Sequence, residues 1–200
     1  MPRTIPVTLL AAAFALLAAP PALAQEKPWS LDPNHSHIGF TARHLAFAKV
    51  RGEFTQFSAE VKADRETGRI TELRAVAKAA SVDTGNAKRD KHLRSPDFFD
   101  AKNHPEIRLK METIRWKGND FTATVALTMR GVTKKVKFEG ELLGIRTVDF
   151  GNGPHRRAAY EARAEIDRHD FGLNFNGLAE GISIVGDKVE IDLEVELSTK

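Results

Sequence analysis

Apolar and charged residues alternate strictly along positions 189–197 of this 200-residue chain. Every odd position from Val189 to Leu197 carries an aliphatic side chain, and every even position carries Asp or Glu. A period of two places each set on one face of a β-strand, whereas a helix would scatter the same residues around its surface. The pattern therefore predicts a strand with one buried face and one solvated face.

The same alternation predicts seven further strands, near 35–45, 52–63, 70–80, 107–116, 121–129, 136–142 and 158–166. Most of them are joined by short turns rich in Gly, Asp and Asn, such as Asp64–Gly68 and Lys117–Asp120. Eight strands joined in this way are typical of an antiparallel meander, and closing the sheet into a barrel removes its exposed edges. The pattern therefore predicts an all-β fold, and an eight-stranded antiparallel barrel is the closed form of such a sheet.

Small residues recur on the inward faces of these predicted strands. Ala75 and Ala77 lie on one strand, and Ala162 and Ala164 lie on another. An eight-stranded barrel leaves just enough interior for side chains or for one small ligand. The small residues favour an interior with space left in it. A tightly packed sandwich, in which large residues from opposite strands fill the gaps, fits the pattern equally well.

The strand pattern is interrupted once at length, between residues 81 and 105. Asn86 can cap a short helix that runs to Leu93, and Ser95 followed by Pro96 is typical of a second helix start. Phe98 and Phe99 would then face apolar surface. We predict a short helical lid, at about 86–100, over one mouth of the barrel.

The first 24 residues are typical of a secretory signal peptide. Arg3 and the terminal amine precede an uncharged apolar run from Val7 to Ala19, which is too short to cross a bilayer. Ala22-Leu23-Ala24 matches the small-x-small cleavage rule. We expect cleavage after Ala24, a mature domain of residues 25–200, and a periplasmic location in a Gram-negative source. An uncleaved membrane anchor is the alternative.

Composition excludes several classes of protein. The 30 basic and 27 acidic residues are too balanced to indicate nucleic-acid binding, and the absence of Cys excludes thiolate metal sites and cysteine nucleophiles. The chain has no Gly-x-Ser-x-Gly motif and no convincing pair of catalytic carboxylates. We therefore expect a protein that is not an enzyme and has no cofactor.

Three histidines and a basic run are candidates for ligand chemistry. His35 and His37 lie two residues apart, a spacing that can chelate zinc or copper, although the sequence names no third ligand. His44 shares the apolar face of its strand, so it is either a structural residue bonded to the lid or Asp90, or a ligand-facing one. The basic run from Lys88 to Arg94 is either a solvated face or a cationic rim for a phosphate or carboxylate.

The chain also resembles the YceI-like family of polyisoprenoid-binding exported bacterial proteins over residues 29–198. The motifs that carry the resemblance are Asp32-Pro33-Asn34-His35-Ser36, Gly52-Glu53-Phe54, Ser81-Val82-Asp83-Thr84-Gly85-Asn86, Arg89-Asp90-Lys91-His92-Leu93, Asp97-Phe98-Phe99-Asp100, Leu127-Thr128-Met129-Arg130-Gly131-Val132-Thr133 and Ile166-Asp167-Arg168-His169-Asp170-Phe171-Gly172. The resemblance implies a hollow lipocalin-like barrel around a long amphiphilic lipid. It also implies a carrier without an agreed catalytic activity, in a family where dimers are known.

These inferences together define an expected site. The lipid, a polyprenyl phosphate or a quinone-like isoprenoid, would lie in the barrel with no nucleic-acid partner and no stable membrane insertion, and a homodimer is compatible with this interpretation. The alternatives are a metal- or redox-partner-binding module that uses His35 and His37, and a lipid hydrolase. The head group would lie near His44, Arg89 and His92. The tail would contact Phe40, Phe54, Phe57, Ala75, Ala77, Phe98, Phe99, Leu127, Phe138 and Tyr160.

Overall fold

Antiparallel strands make up most of residues 29–199, the part of the chain that the computed structural model describes. One short helix, α1, spans Ala87–Leu93. The strands in chain order are β1 (Trp29–Leu31), β2 (His37–His44), β3 (Ala48–Phe54), β4 (Phe57–Ala63), β5 (Ile70–Lys78), β6 (Val82–Asp83), β7 (Glu106–Lys117), β8 (Asp120–Met129), β9 (Val132–Asp149), β10 (Pro154–Asp167), β11 (Leu178–Ala179), β12 (Ile182–Ser183) and β13 (Val185–Thr199).

The sheet closes into a ring through β1. The hydrogen-bonded order is β1-β4-β5-β7-β8-β9-β10-β13, and β13 pairs again with β1. After a 3-10 turn at Pro33–His35, β2 continues the line of β1 and pairs with β13 on one side and β3 on the other. The pairs β1–β2 and β3–β4 therefore each act as one interrupted strand. The predicted eight-stranded antiparallel barrel is confirmed.

The predicted strand near 52–63 begins earlier than expected, at Ala48, and is interrupted between β3 and β4. The early part, 48–51, was missed because Gly52 interrupts the apolar alternation between the inward positions Val50 and Phe54. A Cβ at Gly52 would lie 2.4 Å from the ring of Phe40, so glycine is required for this ring to cross the backbone. At the interruption, the Thr55 amide donates to the Ser81 carbonyl instead of to a neighbouring strand.

The two ends of the barrel differ in what covers them. At the first end, here called the lid end, lie α1, the turns at 45–47 and 130–131, and the segment 168–184. At the second end, the far end, lie the turns at 64–69, 118–119 and 150–153. The connection between β5 and β7 is therefore the one that covers a mouth of the barrel with a helix.

The lid is helical over a shorter range than predicted. Asn86 caps α1 as expected, since its side chain accepts a hydrogen bond from the Arg89 amide at 3.0 Å. From Ser95 the chain forms hydrogen-bonded turns and no second helix, with the amides of Phe98 and Asp100 both donating to the Ser95 carbonyl. These turns bring Phe98 and Phe99 into the interior, where both are buried.

The predicted signal peptide, residues 1–24, lies outside the described residues, and the domain expected from residue 25 onward is described from Trp29. Within residues 29–199, no helix is long and apolar enough to cross a membrane.

Candidate ligand-binding cavity

The barrel encloses a cavity of about 230 Å³ with almost entirely apolar walls. Side chains from all eight strands of the ring and from the lid contribute to these walls. The cavity overturns the alternative of a tightly packed sandwich. All ten residues predicted to contact a lipid tail line it: Phe40, Phe54, Phe57, Ala75, Ala77, Phe98, Phe99, Leu127, Phe138 and Tyr160. That these residues contact a lipid stays a prediction.

Small side chains that face one another leave the space open. Ala59 on β4 lies directly opposite Ala75 on β5, and both line the cavity. Alanine also occupies the inward positions 42, 123 and 162. Further lining residues that the sequence prediction left out are Ile38, Leu73, Met111, Ile114, Ile191 and Leu193. Extending the alternation rule along each strand would have identified all of them except Ile114, which follows a register shift in β7 between Met111 and Thr113.

Aromatic side chains pack the far end of the cavity. The Tyr160 hydroxyl donates to the Gly68 carbonyl at 2.7 Å, and the rings of Trp116 and Phe121 lie 4.9 Å apart. The Trp116 indole N–H donates to the Ile70 carbonyl at 3.4 Å. Burial raises the pKa of the Tyr160 phenol, so this group stays protonated and acts as a donor at physiological pH. The far end therefore offers a ligand aromatic surface and a protonated phenol.

A line of phenylalanine rings connects the lid with the cavity. Phe99 meets Phe54 edge-to-face at 5.4 Å, and Phe54 lies 5.7 Å from Phe40. The turn that carries Phe98 is held by Arg130, whose guanidinium donates to the Phe98 carbonyl at 2.6 Å. The lid is thus part of the cavity wall, and its movement would change the shape of the cavity.

Arg89 is hydrogen-bonded within the lid. Its guanidinium donates to the hydroxyl of Thr84 at 2.7 Å and to the Thr84 carbonyl at 2.8 Å. Asp90 is buried and accepts from the Thr84 amide and hydroxyl, so the lid helix and the preceding loop form one hydrogen-bonded unit. His44 is half-buried at the end of β2, opposite Val185.

His92 lies between two aromatic rings at the lid end. Its ring meets Phe98 at 5.0 Å and Phe175 at 4.9 Å, both edge-to-face, and its Nε2 lies 2.8 Å from the Asp97 carboxylate. In the described structure, none of the three predicted head-group residues, His44, Arg89 and His92, forms part of the cavity wall. Their contact with a head group stays a prediction.

Arg168 is a charged residue of the cavity lining that the sequence analysis missed. It is buried, and its guanidinium donates to the carbonyls of Gly186 at 3.1 Å and Leu173 at 2.5 Å. Asp187, the acidic partner at 3.3 Å, is itself well exposed. A guanidinium therefore lies at the lid end of a cavity whose walls are mostly apolar. In the sequence, Arg168 was noted only as a member of the family motif Ile166–Gly172, with no role of its own assigned to it.

The two histidines of the metal hypothesis contact different carboxylates. The Nδ1 of His35 lies 3.0 Å from Asp32, whereas the Nδ1 of His37 lies 2.9 Å from Glu53. Among the described residues, the donor atoms that lie within 4.8 Å of one another belong to Asp32, His35 and Glu196. His37 is not part of this group, so the two imidazoles do not converge on one point.

A guanidinium lies between the carboxylates of this group. Arg157 donates to Asp32 at 2.9 Å and also to Glu196. Burial acts to raise the pKa of the Asp32 carboxyl, but hydrogen bonds from His35 and Arg157 outweigh it and hold the pKa below its ordinary value. The two ion pairs of Arg157 therefore hold β1, β10 and β13 together at this junction.

These features define a class, a lipocalin-like hollow barrel with an apolar ligand cavity closed at one end by a lid. The chain belongs to the YceI family, since the model of the YceI-like domain matches residues 29–197. The UPF0312 protein of Photorhabdus laumondii is 34% identical over 82% of this chain and 84% of its own length.

Solved structures show the same fold. The YceI protein of Campylobacter jejuni matches with a TM-score of 0.69 and 28% identity, over 79% of this chain and 90% of that one. A domain from Saccharophagus degradans, described as polyisoprenoid-binding and implicated in plant cell wall breakdown, matches with a TM-score of 0.62 and 16% identity over 86% and 99% of the two chains.

Proposed function

We propose that this protein is an exported, periplasmic carrier that holds a long amphiphilic lipid in its barrel and catalyses no reaction. The observation that carries the proposal is the enclosed apolar cavity, to which every strand of the ring contributes. The lipid is a polyisoprenoid, either a polyprenyl phosphate or a quinone-like molecule. The polyisoprenoid-binding description of the Saccharophagus domain supports this choice.

The polarity of the two ends sets the orientation of the lipid. The aromatic far end takes the tail, and the lid end, where Arg168 carries its charge and His44, Arg89 and His92 lie nearby, takes the head group. Burial is worth about 0.8 kcal/mol per carbon, so one five-carbon isoprene unit contributes about 4 kcal/mol before the entropy cost of binding. A few buried units therefore suffice for tight binding.

Mass spectrometry of the protein exported from its own host tests the proposal. The native complex should carry one isoprenoid lipid per chain, and organic extraction should identify it. A charge on the cavity wall, in the variants Leu127→Glu and Phe40→Glu, should abolish uptake because the carboxylate must be desolvated. Thr128→Glu, on the outer face of the same strand as Leu127, is the matched control and should keep its lipid.

Two results would overturn the proposal. The first is an empty protein that also ignores added polyprenyl phosphates and quinones. The second is full uptake by both cavity variants when circular dichroism shows the native fold. Export is tested separately, because a mature protein that begins at Gln25 in the periplasmic fraction is expected, and a chain that retains residues 1–24 contradicts it.

A further inference from the structure

Two neighbouring turns at the lid end carry exposed apolar side chains. One is the turn Leu45–Phe47 between β2 and β3, and the other is the hairpin Leu178–Ile182 formed by β11 and β12. Phe47 is 76% exposed, Leu178 is 66% exposed and Ile182 is 47% exposed. These two segments are called the apolar tips below.

The apolar tips are held side by side. The Leu45 amide donates to the Ile184 carbonyl at 3.2 Å, and the Ile184 amide donates to the Gly177 carbonyl at 2.9 Å. The next residue, Val185, lines the cavity and lies opposite His44 on β2. Both tips therefore project from the barrel directly beside the lid end of the cavity.

The first tip has an unusual turn chemistry. Leu45 and Ala46 have φ values of 50° and 64°, in the left-handed region that favours Gly and Asn. The Phe47 amide donates to the His44 carbonyl and closes a turn whose two central residues both have positive φ, a conformation in which Asn-Gly is the preferred pair. Apolar residues with a Cβ therefore occupy this solvent-exposed turn at a conformational cost. Backbone strain of this kind concentrates at functional positions.

Basic residues flank the first tip. Arg43 and Lys49 lie directly opposite each other across the β2–β3 hairpin, one residue pair below the turn. Like charges in this position repel, although Lys49 also lies 3.4 Å from Glu190. Exposed lysines of α1, Lys88 and Lys91, lie at the same end of the barrel. The acidic residue in the tips themselves is Glu180, at the end of the β11–β12 hairpin.

We propose that the apolar tips dock on the surface of an anionic lipid bilayer. Phe47, Leu178 and Ile182 enter the boundary between head groups and acyl chains, and Arg43 and Lys49 contact lipid phosphates. Projecting apolar residues with a basic flank are typical of interfacial membrane anchors, and two convex turns offer no groove to a folded partner. The purpose of docking, to bring the lid end to a membrane that holds the cargo, rests on the proposed carrier function.

Flotation with vesicles of phosphatidylglycerol and phosphatidylcholine in equal parts tests the docking. The protein should float with these vesicles, less with pure phosphatidylcholine, and less at high salt because the Arg43 and Lys49 contacts are screened. The double variant Phe47→Ser/Leu178→Ser should lower the bound fraction at least about tenfold. Arg43→Gln/Lys49→Gln should remove the preference for anionic vesicles and keep the weaker binding to neutral ones.

Matched controls separate this inference from the carrier function. Phe150→Ser removes a phenylalanine that is 72% exposed at the far end, and it should leave flotation unchanged. Phe40→Glu should lose the cargo but still float, so a failure of lipid carriage is distinguishable from a failure of docking.

Three outcomes would overturn the proposal. The first is a correctly folded protein that fails to float with anionic vesicles, and the second is a Phe150→Ser variant whose flotation falls as much as that of the tip variant. The third is a dimer in sedimentation analysis that Phe47→Ser dissociates, which would assign the tips to contact with a second copy of the chain.

Discussion

Replacing Ala75 by leucine is expected to stabilise the empty protein and to weaken its uptake of lipid. Ala75 lines the cavity opposite Ala59, so a longer side chain has space to fill. Leucine adds three carbon atoms at about 0.8 kcal/mol each, and a side chain that fits the space raises the free energy of unfolding by about 2 kcal/mol. For a domain of this size that change raises the Tm by roughly 4–8 °C.

Urea denaturation of lipid-free protein, followed by circular dichroism, measures the free energy of unfolding. Uptake is measured with added polyprenyl phosphate and native mass spectrometry. Ala126→Leu is the matched control, because Ala126 lies on the outer face of β8 between Lys110 and Lys135. The same change there should leave lipid uptake intact and should change the free energy of unfolding by no more than about 0.5 kcal/mol from that of the unmodified protein.

Two results would refute the reasoning. If Ala75→Leu lowers the free energy of unfolding by about 1–3 kcal/mol, as overpacking does, the interior is already full. A gain in stability with unchanged uptake would mean that the lipid is held outside the cavity, since the added leucine competes with the tail for the same volume.

Further predictions concern the hydrogen bonds and the closure of the barrel. Tyr160→Phe leaves the buried Gly68 carbonyl without its donor, so we expect the free energy of unfolding, measured by urea denaturation, to fall by about 1–3 kcal/mol. An unchanged midpoint of urea denaturation would contradict this. The lowered pKa of Asp32 stabilises the fold above about pH 4, and this contribution is lost as the pH falls through the folded-state pKa, so Asp32→Asn should flatten the acid limb of a stability–pH curve. Ser30 and Glu60 are the opposed residues that join β1 to β4, so Ser30→Cys/Glu60→Cys should form a disulfide worth up to about 4 kcal/mol, seen as a Tm that falls on reduction.

The sequence predicted the parts of the fold that depend on local pattern. Alternation identified the strands and their inward faces, so Leu127 and Phe138 could be placed in the interior without a structure. The cap at Asn86 identified the lid helix for the same reason, since a cap is a contact between near neighbours in the chain. The turns from Ser95 onward were harder, because Ser-Pro begins a turn as readily as a helix.

The polar residues around the site could not be assigned from the sequence. Arg89 and His92 are basic residues on a lid helix, but whether such a side chain reaches a ligand depends on its other partners. In the structure Arg89 binds Thr84 and His92 lies against Asp97, so neither lines the cavity. Arg168, which was not among the predicted site residues, does line it. A hydrogen-bond partner is chosen by distance in space, which the spacing of residues along the chain does not give.

The sequence by itself determined an all-β chain with a defined inner and outer face, because side-chain direction in a strand follows from a period of two. Only the tertiary structure decided that the ring closes through β1 and leaves a cavity. It also decided that His35 and His37 contact different carboxylates, and that Leu45–Phe47 and Leu178–Ile182 meet at one end of the barrel. These are contacts between residues far apart in the chain, and the free energy that selects them is that of the whole closed barrel.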